Sequence, residues 1–260
     1  SSAASDVYKR QDLMSVEPIT IILSKAGWIR AAKGHDIDPT AVNFKSGDSL
    51  LASVIGRSNQ NVYLQDSTGR FYAVPSHTLP SARGQGEPAS GKLNLPTGAT
   101  LTGLIMGEDD KEVFVGTSAG YGFRTTITDL HTKNKAGKSV VKISPYAQVV
   151  QPKLIYDENS LIVAVSNEGR MLVFDISNVP KLAKGKGNKI INIPSARLKR
   201  GEEWVVDYAI VGQGTSLLVY SGKRYLSLKY GDLEHYIGER GRRGHKLPRG
   251  FQRVDYLKSE

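Results

Sequence analysis

Cysteine is absent from the 260 residues, which excludes disulfide bridges and thiolate metal sites. No apolar run approaches the roughly 18 residues that a bilayer-spanning helix needs. No secretory leader is visible either, so a cytosolic setting without membrane insertion is the expectation. Only two Trp are present, at 28 and 204, and neither is followed by Asp, so the WD-repeat signature is missing. Acidic residues are in deficit: 25 Asp and Glu face 35 Lys and Arg, a formal charge of +10. That imbalance suggests a polyanionic partner, nucleic acid or an acidic membrane surface.

What is present is a repeated β unit, clearest between Leu161 and Ile193. Leu161–Val165 and Met171–Ile176 are short apolar runs separated by the turn Asn167-Glu168-Gly169, with glycine where a positive φ is needed. A polar link follows, then Lys184-Gly185-Lys186-Gly187-Asn188-Lys189, then apolar Ile190–Ile193. Runs of about five residues with glycine punctuation predict strands, because a helix would show ten or so residues of periodicity.

The same turn recurs as Ser24-Lys25-Ala26-Gly27, Asp66-Ser67-Thr68-Gly69 and Thr117-Ser118-Ala119-Gly120, with a shorter fifth copy at Ser221-Gly222. The turn glycines are separated by 42, 51, 49 and 53 residues. Such periods, with several short strands in each, predict an all-β fold of five propeller-like blades, closed or left open around an axis. The repeats fall near 19–50, 51–98, 99–148, 149–202 and 203–257. Phe251, Val254, Tyr256 and Leu257 alternate like one last strand. Residues 1–11, SSAASDVYKRQ, stand apart from this pattern. Asp6–Gln11 resembles the translation of a transposon-end sequencing adaptor, so segment 1–11 is expected to be a scar outside the fold, with 12–18 a linker.

A second marker follows each hairpin from the second copy on. Basic glycine loops stand at Ala82–Glu87, Asn134–Ser139, Ala183–Lys189 and Gly238–Lys246. Copy one reaches Lys33-Gly34-His35 only seven residues after Gly27 and lacks the long loop. Between Lys181 and Arg200 there are seven basic residues and no acidic one, and Lys133, Lys135, Lys138 and Lys142 form a similar stretch. Lys and Arg pair with phosphates, and glycine lets backbone N–H groups approach phosphate oxygens. The candidate phosphate-binding residues are Arg30, Lys33, Arg83, Lys92, Lys133, Lys135, Lys138, Lys184, Lys186, Lys189, Arg240, Arg242, Arg243 and Lys246. The loops hold no aromatic residue for base stacking and no recognition helix is evident, so sequence-independent contact with a duplex backbone is the expected mode. A charge run is otherwise a solvated face, and the alternative reading is that the loops meet an acidic protein.

No catalytic constellation is present, and no cofactor site is expected in this domain. The His residues at 35, 77, 131, 235 and 245 lack metal-ligand spacing. Ala136-Gly137-Lys138-Ser139 ends like a phosphate-binding P-loop, but Thr132 replaces the required glycine. Gly84-x-Gly86-x-x-Ala89 imitates a dinucleotide fingerprint, yet Pro88 and the lack of a following helix argue against it.

Four longer strings carry a family resemblance. They are Gly27-Trp28-Ile29-Arg30 with Ala32-Lys33-Gly34-His35-Asp36-Ile37-Asp38, Leu79-Pro80-Ser81-Ala82-Arg83-Gly84-Gln85-Gly86-Glu87-Pro88, the run from Lys184 to Ala196, and Gly238-Glu239-Arg240-Gly241-Arg242-Arg243-Gly244. From Glu17 to about Leu257 the chain resembles the C-terminal domains of the A subunits of bacterial topoisomerase IV, with gyrase as the neighbouring alternative. The resemblance implies a five-bladed β-pinwheel, in which blades exchange strands. It also implies binding and bending of duplex DNA, and guidance of crossing selection for decatenation and relaxation. The implied partners are the B subunit of an A2B2 enzyme and the N-terminal domain of its A subunit, together with chromosome-segregation proteins, on the bacterial nucleoid in the cytoplasm. ATP and Mg2+ are implied elsewhere in that enzyme, and its DNA-cleaving tyrosine upstream, so this domain is not expected to be an enzyme by itself. The gyrase box, Gln-Arg-Arg-Gly-Gly-Lys-Gly in the first blade, is missing. Gly241-Arg242-Arg243-Gly244 is its nearest echo and stands in the last copy, which casts doubt on gyrase-like wrapping.

Overall fold

A computed structural model describes residues 2–13 and 15–260. The strands are β1 (Pro18–Ser24), β2 (Trp28–Lys33), β3 (Leu50–Arg57), β4 (Asn61–Asp66), β5 (Arg70–Pro75), β6 (Glu87–Pro88), β7 (Leu101–Ile105), β8 (Glu112–Gly116), β9 (Tyr121–Thr126) and β10 (Lys138–Ser139). They continue with β11 (Lys153–Ile155), β12 (Leu161–Ser166), β13 (Arg170–Asp175), β14 (Asn188–Lys189), β15 (Val205–Val211), β16 (Ser216–Ser221), β17 (Arg224–Lys229), β18 (His245–Lys246) and β19 (Tyr256–Ser259). Among the described residues they make five antiparallel sheets, β6-β2-β1-β3, β10-β5-β4-β7, β14-β9-β8-β11, β18-β13-β12-β15 and the three-stranded β17-β16-β19. The fold is all-β and five-bladed, as the turn spacing predicts.

The hairpins form where the repeated turn places them. Leu23 pairs with Ile29, Gln65 with Phe71 and Val165 with Met171, each across a glycine-closed turn. Gly27, Gly69, Gly120 and Gly169 have φ of 87°, 87°, 87° and 78°, a region that costs an L side chain energy. The turn's first residue turns inward and accepts a backbone N–H four residues on: Ser24 from Trp28, Asp66 from Arg70, Ser166 from Arg170. The fifth turn is one residue shorter, with Ser221 pairing Arg224.

Two compact units make up the chain, residues 1–110 with 126–140 and residues 111–125 with 141–260. In the first, the two blades share one core in which Ile21, Leu23 and Ile29 meet Leu64, Tyr72 and Leu104. Asp66 is wholly buried there and accepts hydrogen bonds from the Thr68 and Arg70 amides and the Tyr72 hydroxyl. Burial, and then the neighbouring Asp66, push the Tyr72 phenol far above its ordinary range.

Helix α1 spans Ser2–Leu13. Its Tyr8 sits edge-on to His131, with ring centroids 5.6 Å apart, and under the Lys133 ammonium, 5.4 Å from the ring centre. Ala, Lys, Arg and Gln are good helix formers, which suits this segment to a helix.

The second unit holds the other three blades and two cores. Leu161, Val163 and Val165 of β12 face one core, and Ile162 and Ala164 face the other. A strand packed on both faces needs a continuous apolar run, which is why Leu161–Val165 does not alternate. Fully burying each such Val or Ile contributes about 1.5–3 kcal/mol. Tyr208 closes the second core: its ring lies 4.8 Å from that of Phe114 and its hydroxyl donates to the Thr117 carbonyl at 2.7 Å.

The sheets do not coincide with the linear repeats. After each hairpin the chain reaches back and adds a two-residue strand to the preceding blade: β6 to β2, β10 to β5, β14 to β9, β18 to β13. This is the strand exchange of a pinwheel. The last strand is also shorter than its alternation suggests, since only Tyr256–Ser259 pairs, against β16.

Candidate nucleic-acid interface

The basic glycine loops at 82–87, 183–189 and 238–246 are each the excursion between two attachments to one acceptor strand. Ala31 receives its loop through Pro80 and Ala82 at 2.8 and 2.9 Å, and β6 then pairs with Trp28 and Ile29. Arg124 does the same through Pro180 and Leu182 at 2.8 and 2.9 Å, before β14 pairs with Tyr121 and Gly122. A loop fixed at both ends presents its side chains from a stiff base.

Four glycines in these loops serve the fold. Gly86, Gly137, Gly187 and Gly244 all have positive φ and immediately precede the donated strands. A Cβ on them would meet the acceptor carbonyls of Ile29, Phe71, Gly122 and Met171 at 2.5, 2.7, 2.1 and 2.4 Å. Their requirement for glycine is thus explained by strand docking, with no need of a phosphate. Lys33-Gly34-His35 is not a fifth such loop: Gly34 turns the chain after β2, and among the described residues this segment donates no strand to another sheet.

Arginine divides into two populations. Arg30 is 2 % exposed and donates to the carbonyls of Gly84 and Asn43, both at 2.7 Å. Burial lowers its pKa and Asp48 partly restores it. Held this way, Arg30 is not available to a phosphate, which corrects its place among the candidates. Arg243 is likewise committed, to the Asn192 carbonyl at 2.8 Å and the wholly buried Glu203 at 2.9 Å. Arg70, Arg124 and Arg170, which the sequence did not single out, hold the arriving segments through the carbonyls of Ala136, Val179 and Gly244. The common signal was available: an Arg within the second strand of every hairpin.

The lysines remain outside. Lys33, Arg83, Lys135, Lys184 and Lys246 are exposed and make no side-chain hydrogen bond or ion pair among the described residues. Lys133 and Lys186 are exposed over the rings of Tyr8 and Tyr121, the latter at 4.1 Å. Lys138 is half-buried and donates to the Asp129 carbonyl, and Lys92 pairs with Glu87 at 3.4 Å. Arg242 pairs with Glu239 at 3.1 Å, but both are so exposed that the pair is worth under about 1 kcal/mol.

In the second unit two loops lie side by side. The Gly241 amide donates to the Ile190 carbonyl at 2.8 Å and the Asn192 amide to that of Arg242 at 2.9 Å, while the Arg240 guanidinium reaches the Lys189 carbonyl at 2.9 Å. On the far side the Lys142 amide donates to the Gly185 carbonyl at 2.9 Å. Lys142, missed as a candidate, thereby joins Lys184, Lys186, Lys189, Arg240 and Arg242 in one fastened basic surface. In the first unit the Asn94 amide ties the segment carrying Lys92 to the Lys135 carbonyl at 2.8 Å. Among the described residues, no group of three or more His, Asp or Glu could hold a metal ion, and no helix is long and apolar enough to cross a membrane.

The exchanged strands and the five blades define a class. A family profile described as the DNA gyrase C-terminal domain, beta-propeller, matches residues 111–155 and 160–209. The fold is shared with a structure of the DNA gyrase A C-terminal domain, at 16 % identity and a TM-score of 0.69, covering 92 % of this chain and 81 % of that one. Identity is far higher with several topoisomerase IV A subunits. The structure of the Escherichia coli ParC C-terminal domain matches with 49 % identity and a TM-score of 0.78, over 94 % of this chain and 99 % of that one. The A subunit of DNA topoisomerase 4 from Pseudomonas aeruginosa is 51 % identical over 95 % of this chain and 33 % of that protein, and its counterpart from E. coli K12 is 49 % identical over 94 % and 32 %. The chain belongs to the family of C-terminal domains of topoisomerase IV A subunits. It spans about a third of the length of these curated relatives.

Proposed function

We propose that this chain binds duplex DNA through its phosphates, without sequence preference, and bends it. The observation that carries the reading is the fastened pair of loops in the second unit, where Lys184, Lys186, Lys189, Arg240 and Arg242 stand exposed on a base of inter-loop hydrogen bonds. Such a base reduces the side-chain and loop ordering that binding must otherwise pay for. The exposed charges are lysines and arginines with no aromatic platform among the loop residues themselves, which suits backbone contact over base stacking. Bending a 20–30 bp site by 40–90° costs on the order of 1–6 kcal/mol, which a row of phosphate contacts can offset.

In the full-length protein this domain would guide the choice of DNA crossing for decatenation and relaxation. Kinship with topoisomerase IV supports that role, together with an A2B2 assembly and a place on the nucleoid in the cytoplasm. Chemistry would reside elsewhere: the cleaving tyrosine upstream, ATP on the partner B protein, Mg2+ outside this domain. None of the twelve tyrosines here is assigned to it.

The test is binding of the purified chain to duplexes of random sequence at several salt concentrations, read by anisotropy. Each neutralised phosphate adds about −0.9 to the slope of log K against log salt. A flat slope, or preference for one sequence over random DNA, would overturn the proposal.

A further inference from the structure

A second tight turn repeats along the chain, ahead of β3, β7 and β11. The Asp48 amide donates to the Lys45 carbonyl at 2.9 Å, the Ala99 amide to that of Pro96 at 3.0 Å and the Ala147 amide to that of Ser144 at 3.1 Å. In all three copies the next carbonyl but one after the turn's third residue accepts an amide from the neighbouring hairpin turn: Ser49 from Lys25, Thr100 from Ser67, Gln148 from Ser118. The third residue has φ of 83° at Gly47, 81° at Gly98 and 67° at Tyr146. A turn of this kind favours glycine or asparagine there. Among the described residues, Tyr146 is the one non-glycine in the left-handed region.

Packing does not explain the tyrosine. Nothing lies within 4 Å of a Cβ added at Gly47 or Gly98, so the position has room for a side chain and no core to fill. The Tyr146 side chain is 64 % exposed, and its neighbour Pro145 is exposed beside it. The Lys199 ammonium lies 5.8 Å from the ring centre, near the outer limit for a cation over a ring. A side chain held in a costly backbone conformation with its ring in solvent points to a ligand for that ring.

The surroundings indicate which ligand. Lys199, at the end of the short helix Ser195–Lys199, is exposed and has no ion pair among the described residues. Lys142, four residues before Tyr146, is exposed in the same way, and its amide ties the segment to the Gly185 carbonyl of the basic loop 183–189 at 2.9 Å. Glu202, the carboxylate nearest to Lys199 along the chain, is engaged by Arg200 at 2.6 Å and Arg197 at 3.7 Å. An apolar tip of proline and tyrosine between free cations suits a base whose neighbours have parted, with the cations on the flanking phosphates. We infer that Tyr146 stacks on an unstacked base, so that the chain favours duplex DNA with a locally opened step over regular duplex. A closed stack offers the ring no face, whereas a bulge or a kinked step does, and such a step also bends more cheaply. The inference rests on the reading that the basic loops bind duplex phosphates, and adds a preference for shape that those loops do not supply.

The experiment titrates the full 260-residue chain with two duplexes of one sequence and about 25 bp, one regular and one carrying a single unpaired adenine at its centre. The parent chain should bind the bulged duplex at least about fivefold more tightly. Tyr146→Gly should abolish that preference while keeping affinity for the regular duplex within about twofold. It should also unfold at a urea concentration no lower than the parent's, since glycine relieves the left-handed strain. Tyr146→Phe keeps the ring and should keep the preference. Tyr156→Ala removes a side chain that is 68 % exposed on ordinary backbone, and as the control it should keep the preference too. Equal affinity of the parent for the two duplexes, or a preference that survives Tyr146→Gly, would overturn the inference and leave the phosphate reading standing. So would an equal loss in Tyr156→Ala, or a loss in Tyr146→Gly that comes with a lower urea midpoint. Binding to neither duplex would overturn both.

Discussion

Gly187 lies so close to the carbonyl oxygen of Gly122 that a Cβ on it would stand 2.1 Å away. No rotamer change relieves this contact, because the obstacle is backbone. Gly187→Ala should therefore destabilise the chain by about 2–4 kcal/mol, combining left-handed strain with displacement of β14. Gly34→Ala is the comparison: its φ is 86° but nothing lies within 4 Å. It should cost only the conformational penalty, about 1–2 kcal/mol. Urea unfolding of both variants gives the answer, and equal losses would mean that the donated strand contributes little.

Arg243→Ala should act on stability before it acts on any ligand. Glu203 is wholly buried, with Arg243 at 2.9 Å and Arg197 at 3.5 Å. Removing one cation from a buried pair costs up to about 3–5 kcal/mol, and the partial exposure of Arg243 places it near the lower end. Arg240→Ala, on the same loop but exposed, should stay within about 0.5 kcal/mol. Thermal melts of the two variants separate the roles.

If the fastened loops bind phosphates, Lys184, Lys186 and Lys189 changed together to Ala should lower the salt slope of DNA binding by about 2.7. Lys25, Lys229 and Lys258, equally exposed but outside the loops, form the control triplet. Anisotropy titrations and a bend-sensitive assay on both triplets distinguish an array from general charge. Equal weakening by the two would leave only a basic surface.

His131 makes the first unit sensitive to acid. Burial lowers its pKa from the ordinary 6.5, with Lys133 and Lys138 adding to the shift and Asp109 opposing it. The unfolded chain therefore takes up the proton first as pH falls, and stability is lost from about pH 6.5 downward to the lower native pKa. His131→Gln should show a smaller stability difference between about pH 7.5 and about pH 5 than the parent chain. Urea midpoints at the two pH values measure it.

The hairpins and blade number were legible in the sequence because a positive-φ turn leaves a glycine at a fixed offset from two apolar runs. The strand exchange was not legible from periodicity, since Glu87–Pro88 or Lys138–Ser139 is too short to show any. For the same reason the loop glycines read as a phosphate cradle, when Gly86 and Gly244 answer to Ile29 and Met171. Charge alone could not separate Arg30 from Arg83, the one sealed between Gly84 and Asn43 and the other in solvent. Their difference lies in contacts 13 and 54 residues apart in the chain.

Strand exchange also sets a timetable for synthesis. The first hairpin is complete once Lys33 has been made, yet its sheet is not finished until Glu87 and Pro88 emerge. The second, third and fourth blades wait in the same way for the repeat behind them. The nascent chain therefore always carries one open β edge near the ribosome, and every new repeat closes the previous edge while exposing its own.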